Sequence, residues 1–162
     1  MIFKKNNYGF TLIELLVVIA IIGVLASIVI AAVTSSRVKA HDASIKANMN
    51  SLKIAIAIYR DDNGNYGQST YNTDCLAGDL VIDPDIAAII DAAKQASGND
   101  PLCVLSDSNP STQDDDPGVF VKSWAISVPL KSDVLTSWCI DSSGAAKVGF
   151  ASLPGDEVAF CY

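Results

Sequence analysis

One carboxylate stands where a charge is expensive. Glu14 opens the run Leu15 to Val33 (LLVVIAIIGVLASIVIAAV), which has no charge and in which only Gly23 and Ser27 are not clearly apolar. An acid inside such a segment marks a functional position, and the chemistry open to it there is ion pairing. An acid in the first turn of a helix is also favoured by the helix dipole, which is the plain structural reading. Four cysteines, Cys75, Cys103, Cys139 and Cys161, form the second set. They contain no CxxC, so a tight thiolate metal site is not expected, and disulfides in an oxidising space are. Four cysteines permit three pairings. A single histidine, His41, rules out a His-rich metal site and argues against a Ser-His-Asp arrangement. Asp61, Asn63 and Asn65 alternate like the start of a calcium loop, but Tyr66 replaces the required glycine and Asn72 the final acid. Asp114, Asp115 and Asp116 read as a solvated loop rather than a metal site. No metal, cofactor or catalytic constellation is expected, so the chain does not read as an enzyme.

The elements that hold these residues follow from composition. The chain has 162 residues, enough for one ordinary domain or at most two. Half are apolar, which excludes a disordered polymer. Acidic residues outnumber basic ones 18 to 11, for a net charge of −7, and nucleic acid is therefore not an expected partner. The averages conceal an asymmetric chain. A helix from Phe10 to Val33 spans roughly 36 Å, against about 30 Å for a bilayer's hydrocarbon core. Lys4 and Lys5 precede it, which keeps that end cytoplasmic and exports everything from Thr34 onward. The run is longer than the 7–15 apolar residues or so of a secretory signal, and no clear AxA cleavage site follows it. The plain alternative is a signal anchor that tethers a non-polymerising binding domain.

The start of the run points further. Lys4 to Glu14 reads KKNNYGFTLIE. A short basic leader, then Gly-Phe-Thr-Leu-Ile-Glu, then some twenty apolar residues resembles the type IV pilin superfamily, including the pseudopilins of type II secretion and DNA uptake. The resemblance implies cleavage between Gly9 and Phe10 by a prepilin peptidase and N-methylation of Phe10. It implies an assembly role for Glu14, paired with the Phe10 amino group of a neighbouring subunit in a filament core. It also implies an assembly ATPase and an inner-membrane platform protein as partners, beside a homopolymer of pilin subunits. Location would be the inner membrane as a single-pass monomer with its head exported, and an extracellular pilus once assembled. Many pilins carry proline where this chain has Ala31, while the upstream glycine, Gly23, is present.

Beyond the apolar run, Val38, Ile45, Met49, Leu52, Ile56 and Tyr59 make one stripe of a continuing helix. Lys39, Lys46, Lys53 and Arg60 make a basic seam beside it, and Ala40, Ala43, Ala47, Ile54 and Ile58 a third stripe suited to contact between subunits. Net charge is +4 from Ser35 to Arg60 and −12 from Asp61 onward, so the seam is expected either to face another subunit's acidic head or to be solvated. The helix should end at YRDDNGNYG, which resembles the pilin Asp-Asn-Gly-Tyr-Pro ending with Gly67 in place of proline. A second helix is expected over Asp85–Ser97, with Asp83 as cap, Pro84 in its first turn, Gly98 as stop and Ile86, Ile89, Ile90 and Ala93 on its apolar face. Asp100 to Gly118 reads as loop. Alternation predicts strands through Phe120, Trp124, Ile126 and Val128 up to Pro129, and through Val134, Thr136, Trp138 and Ile140. A turn at Asp141 to Gly144, a hairpin strand over Ala145 to Phe150 and an edge over Glu157 to Cys161 complete the set. The favoured cysteine pairing is Cys75–Cys103 and Cys139–Cys161, the second resembling the C-terminal disulfide loop of many pilins. The expected fold is α+β, a long N-terminal helix packed on a small antiparallel sheet. Its parts are a leader (1–9), a membrane and assembly half-helix (10–34), an amphipathic half-helix (35–63) and a head (64–162).

Overall fold

A computed structural model describes residues 9–67, 75, 83–106, 120–152 and 159–162. Lys4, Lys5, Asn72, Asp114 to Asp116, Glu157 and the side chain of Ala31 lie outside the described residues. The chain divides into two compact units, Met1–Arg37 and Val38–Tyr162, and helix α1 (Leu12–Asn63) contributes to both.

In the first unit the apolar side chains from Phe10 to Val33 are exposed wherever they are described. Three of its hydroxyls are satisfied by carbonyls one turn back: Ser27 Oγ donates to Val24 O at 2.7 Å, Thr34 Oγ1 to Ile30 O at 3.0 Å and Ser36 Oγ to Ala32 O at 2.9 Å. Such back-bonding hides the polar atom of each side chain from an apolar solvent.

The second unit is built on the other end of α1. Ile45, Met49, Leu52 and Ile56 recur every three or four residues and are fully buried. The helix ends at Asn63, where Gly64 turns left-handed (φ 75°) and donates to Arg60 O at 2.8 Å. Gly67, which stands where the resembling pattern has proline, is at φ 83°. Proline is locked near −65° and could not take that conformation, so the departure follows from the local backbone. Helix α2 (Pro84–Ser97) starts under the Asp83 carboxylate, which accepts from Asp85 N (3.0 Å) and Ile86 N (3.2 Å), and ends at left-handed Gly98. Ile86, Ile90 and Ala93 point into the core.

Strands β1 (Leu102–Ser106), β2 (Ser123–Pro129), β3 (Ser137–Asp141) and β4 (Ala146–Val148) form an antiparallel meander in that order. β5 (Ala151–Ser152) and β6 (Phe160–Cys161) form a separate antiparallel pair. The architecture is α+β. One face of the meander, with Leu105, Trp124, Ile126, Val128 and Ile140, shares a core with α1 and α2. The opposite face carries Ala125 and Cys139, which pack with Ala151, Ala159 and Cys161 of the short ribbon. Burying one Ile, Leu or Met side chain is worth about 1.5–3 kcal/mol, so the four α1 residues alone anchor the helix firmly. Disulfides join Cys75 to Cys103 and Cys139 to Cys161.

Two expectations need correction. Residues 102–106 are strand β1, not loop, and pair with β2 through Leu102↔Ser127 to Ser106↔Ser123. Their apolar run Leu-Cys-Val-Leu is short and sits among Asp, Ser, Asn and Pro, which dominate any window average. Val134 and Thr136 precede β3 rather than belong to it. Asp133 captures that segment in a side-chain turn, accepting from Leu135 N at 3.0 Å and Thr136 Oγ1 at 2.7 Å. At the other end, Phe120 forms only an isolated bridge before β2 begins at Ser123.

The β2–β3 loop is pinned to α1 by Asp42, whose Oδ1 accepts from Lys131 N (2.7 Å) and Ser132 N (3.2 Å). Partial burial pushes its carboxyl up, but the bonds from Ser132 and Lys131 and the nearby Lys46 charge outweigh that and hold it below the usual range. Asp42→Ala is expected to destabilise the unit by about 1–2 kcal/mol, since bonds to a charged acceptor are lost at a half-exposed site. Urea unfolding should show this as a lower midpoint at unchanged slope.

Candidate assembly segment

Gly9, Phe10, Thr11 and Glu14 lie together at the start of α1. The Thr11 backbone N and Oγ1 both donate to Glu14 Oε2, at 2.9 and 2.7 Å, and Glu14 N donates to Thr11 Oγ1 at 3.3 Å. This reciprocal pattern is a capping box: Thr11 and Glu14 satisfy backbone donors that the first helical turn leaves open. Sequence reasoning overlooked Thr11, although T-x-x-E before an apolar run is its signature. The carboxylate is hydrogen-bonded within its own chain, but no cation from the described residues is paired with it.

Two glycines in this region answer to no demand of the fold. A side chain added at Gly9 or Gly23 would meet nothing within 4 Å, and neither residue has a positive φ. Phe10 is 77% exposed. The segment is also the one helix among the described residues that is long and apolar enough to cross a membrane.

Further along α1, Ile54 and Ile58 are 61% and 56% exposed, and Ala40, Ala43 and Ala47 beside them are exposed too. The third stripe is therefore uncovered in a single chain. The basic seam is not. Lys46 Nζ lies 4.8 Å from the Trp138 ring centroid, and Lys53 Nζ donates to Gly144 O at 3.4 Å. Arg60 donates to the Tyr66 hydroxyl at 3.2 Å and sits near its ring, so three of the four seam cations bind their own unit. The spacing of the seam was readable from the sequence; its partners were not. The four cysteines lie in the second unit, away from the segment in sequence, and no group of three or more metal-ligating side chains occurs among the described residues.

Comparison with known proteins places a family motif in the same stretch. Residues 4–30 match the prokaryotic N-terminal methylation motif. The chain is 32% identical over 82 residues to the type II secretion system core protein G of Aeromonas hydrophila, covering 51% of this chain and 57% of that one. It is 42% identical over 62 residues to the type IV wide pilus major component PilA4 of Thermus thermophilus, covering 38% of this chain and 47% of that one. It is also 40% identical over 62 residues to core protein G of Klebsiella pneumoniae, covering 38% of this chain and 44% of that one. The chain spans about half the length of the relatives it matches. No solved structure matches it. The methylation motif, the apolar helix behind it and relatives from both pili and secretion systems point the same way: part of this chain is similar to the type IV pilin and pseudopilin superfamily.

Proposed function

We propose that the protein is a structural subunit, held in the inner membrane by α1, trimmed between Gly9 and Phe10, methylated at Phe10 and polymerised into a surface filament through its N-terminal helix. The observation that carries this reading is an apolar helix end that its own chain leaves uncovered, with one carboxylate at its start. Lipid can cover that surface in the monomer, and neighbouring helices can cover it in a polymer. A second chain would supply a cation that the described residues do not give Glu14, in the form of the Phe10 amino group. The absence of any steric need for Gly9 fits a residue kept for a peptidase rather than for folding. By the same reading, an assembly ATPase and a membrane platform protein serve the polymer.

A pseudopilin of a secretion or DNA-uptake system is the second reading, and the similarity to core protein G favours it. Intact mass separates the two. A chain that begins at Phe10, carries one methyl group, lacks four thiol hydrogens and is abundant in material sheared from cells is the expected result for a pilin. The same mass confined to the membrane pellet supports the pseudopilin. A chain still beginning before Gly9 in both fractions would sink both readings and leave a tethered domain.

A further inference from the structure

We propose that the cleft between the end of α1 and the start of α2 receives the Lys39 side chain of a second copy of this chain. The inference names a contact inside the polymer described above and rests on that reading.

The cleft has a volume of about 160 Å³. Its walls are apolar, from Ala55, Ile58 and Ile86, and its rim carries Asp62, Asp83 and Asp85. Ile58 is 56% exposed and is also the last member of the uncovered third stripe, so the cleft continues the face suited to contact between subunits. The rim is not neutralised by its own unit. Among the described residues the ion pairs are Arg60–Asp61 and Lys94–Asp100, and neither involves a rim carboxylate. Asp83 caps α2 through Oδ1, which leaves Oδ2 for another donor. A groove with apolar walls and an anionic rim suits a long cationic side chain, whose methylenes lie along the wall while the ammonium group reaches the carboxylates.

Copies that polymerise through α1 present α1 to one another. Of the four seam cations, Lys46, Lys53 and Arg60 are engaged by Trp138, Gly144 and Tyr66 of their own unit. Lys39 is exposed and has no hydrogen bond or ion pair among the described residues. The wider charge agrees, with a net +4 from Ser35 to Arg60 and −12 from Asp61 onward. Lys39 and Asp62 stand on the same helix, 23 residues apart, which is about 34 Å of rise. Parallel copies shifted by that length bring the Lys39 of one level with the cleft of the other. The contact joins two different surfaces, so every added copy offers one of each again, and growth continues without closing.

The test uses the full chain in cells that produce it, with cysteine pairs bridged by a short bismaleimide. The native cysteines are bonded to each other and do not react. Lys39→Cys with Asp62→Cys is expected to give a ladder of covalent multimers, and Lys122→Cys with Asp62→Cys none. Lys39→Glu alone sets like charges together and should cut filament yield more than about tenfold. Adding Asp62→Lys should restore most of it, because the pair is then reversed rather than broken. A Lys39–Asp62 product that stops at the dimer would mean a closed two-fold contact and overturn the proposal. So would a ladder from the Lys122 pair in its place, or filaments of the unsubstituted chain in which Lys39→Glu changes nothing and the Lys39–Asp62 pair does not bridge; in each case the polymer stands. An unsubstituted chain that yields neither filaments nor formaldehyde-linked multimers would overturn the polymer reading itself.

Discussion

Replacing Glu14 with alanine should empty the cell surface of filaments while leaving a processed chain in the membrane. The expectation follows from where the carboxylate sits and what it lacks. It is the one charge from Phe10 to Val33, and among the described residues it is bonded only to Thr11. In a filament core, an unpaired amino terminus would be left behind by the substitution. Breaking a buried pair by removing one partner costs about 3–5 kcal/mol, which is roughly a hundredfold to a thousandfold or more in each subunit contact. Membrane insertion should improve slightly, because a charge has been removed from an apolar run. The capping box makes a control possible. Thr11→Ala removes the cap, worth about 1 kcal/mol, but keeps the charge, so it should lower filament yield far less. Filaments counted by electron microscopy, beside the mass of the membrane-bound chain, decide the matter. Normal filaments from the Glu14→Ala chain would refute the assembly role.

The largest effect on the head is expected at Asp141. Its carboxylate is 2% exposed and takes four bonds: from Ser143 N (2.9 Å), Ser143 Oγ (2.5 Å) and Ala145 N (3.1 Å) on Oδ1, and from Cys161 N (2.9 Å) on Oδ2. One side chain thus builds the β3–β4 turn and fastens the last strand beside the Cys139–Cys161 bridge. Asp141→Ala leaves the buried Cys161 N–H without an acceptor and strips a half-exposed turn of its three other bonds, and the loss should be about 2–4 kcal/mol. That is a large part of the 5–15 kcal/mol or so by which domains are stable. Burial alone would push this carboxyl up; the bonds from Ser143, Cys161 and Ala145 outweigh it and bring it below the usual range. A group lowered on folding stabilises the fold above its unfolded value, near pH 4, and that contribution disappears as pH falls through the folded value. Asp141→Asn should therefore lower the urea midpoint at neutral pH and flatten its acid dependence, read from tryptophan emission. An unchanged midpoint for Asp141→Asn would show that the charge and the Oδ2 bond from Cys161 carry no net stability.

Much of the fold was readable in the residues because local chemistry and tertiary packing agree there. Asp83, Pro84 and Gly98 bracket α2 in the sequence as they do in space, and the spacing of Ile45, Met49, Leu52 and Ile56 gives the buried face of α1. Readings went astray where alternation alone was trusted. Val134 and Thr136 alternate like a strand, yet the Asp133 side chain competes for that backbone and wins. Leu102 to Leu105 were hidden by polar neighbours, though they pair along their whole length with β2. Alternation in β2 distinguishes Trp124, Ile126 and Val128 from Ser123, Ala125 and Ser127, but it does not say that the small residues are buried as well. Their size admits the β5–β6 ribbon, a long-range event with no local mark. At the candidate segment, Gly9, Phe10 and Glu14 were legible as a motif, and Thr11 needed only the capping rule.

The attachment of β3 to α1 has a mechanical consequence. Asp42, Lys46 and Lys53 grip the loop before β3, Trp138 and the turn after it, along two elements that run side by side. A pull along the helix loads these grips together, in shear, and they cannot be opened one at a time like a zipper. The sheet would ride on this stretch of helix as a bolted plate, resisting a pull along the helix with all three grips at once.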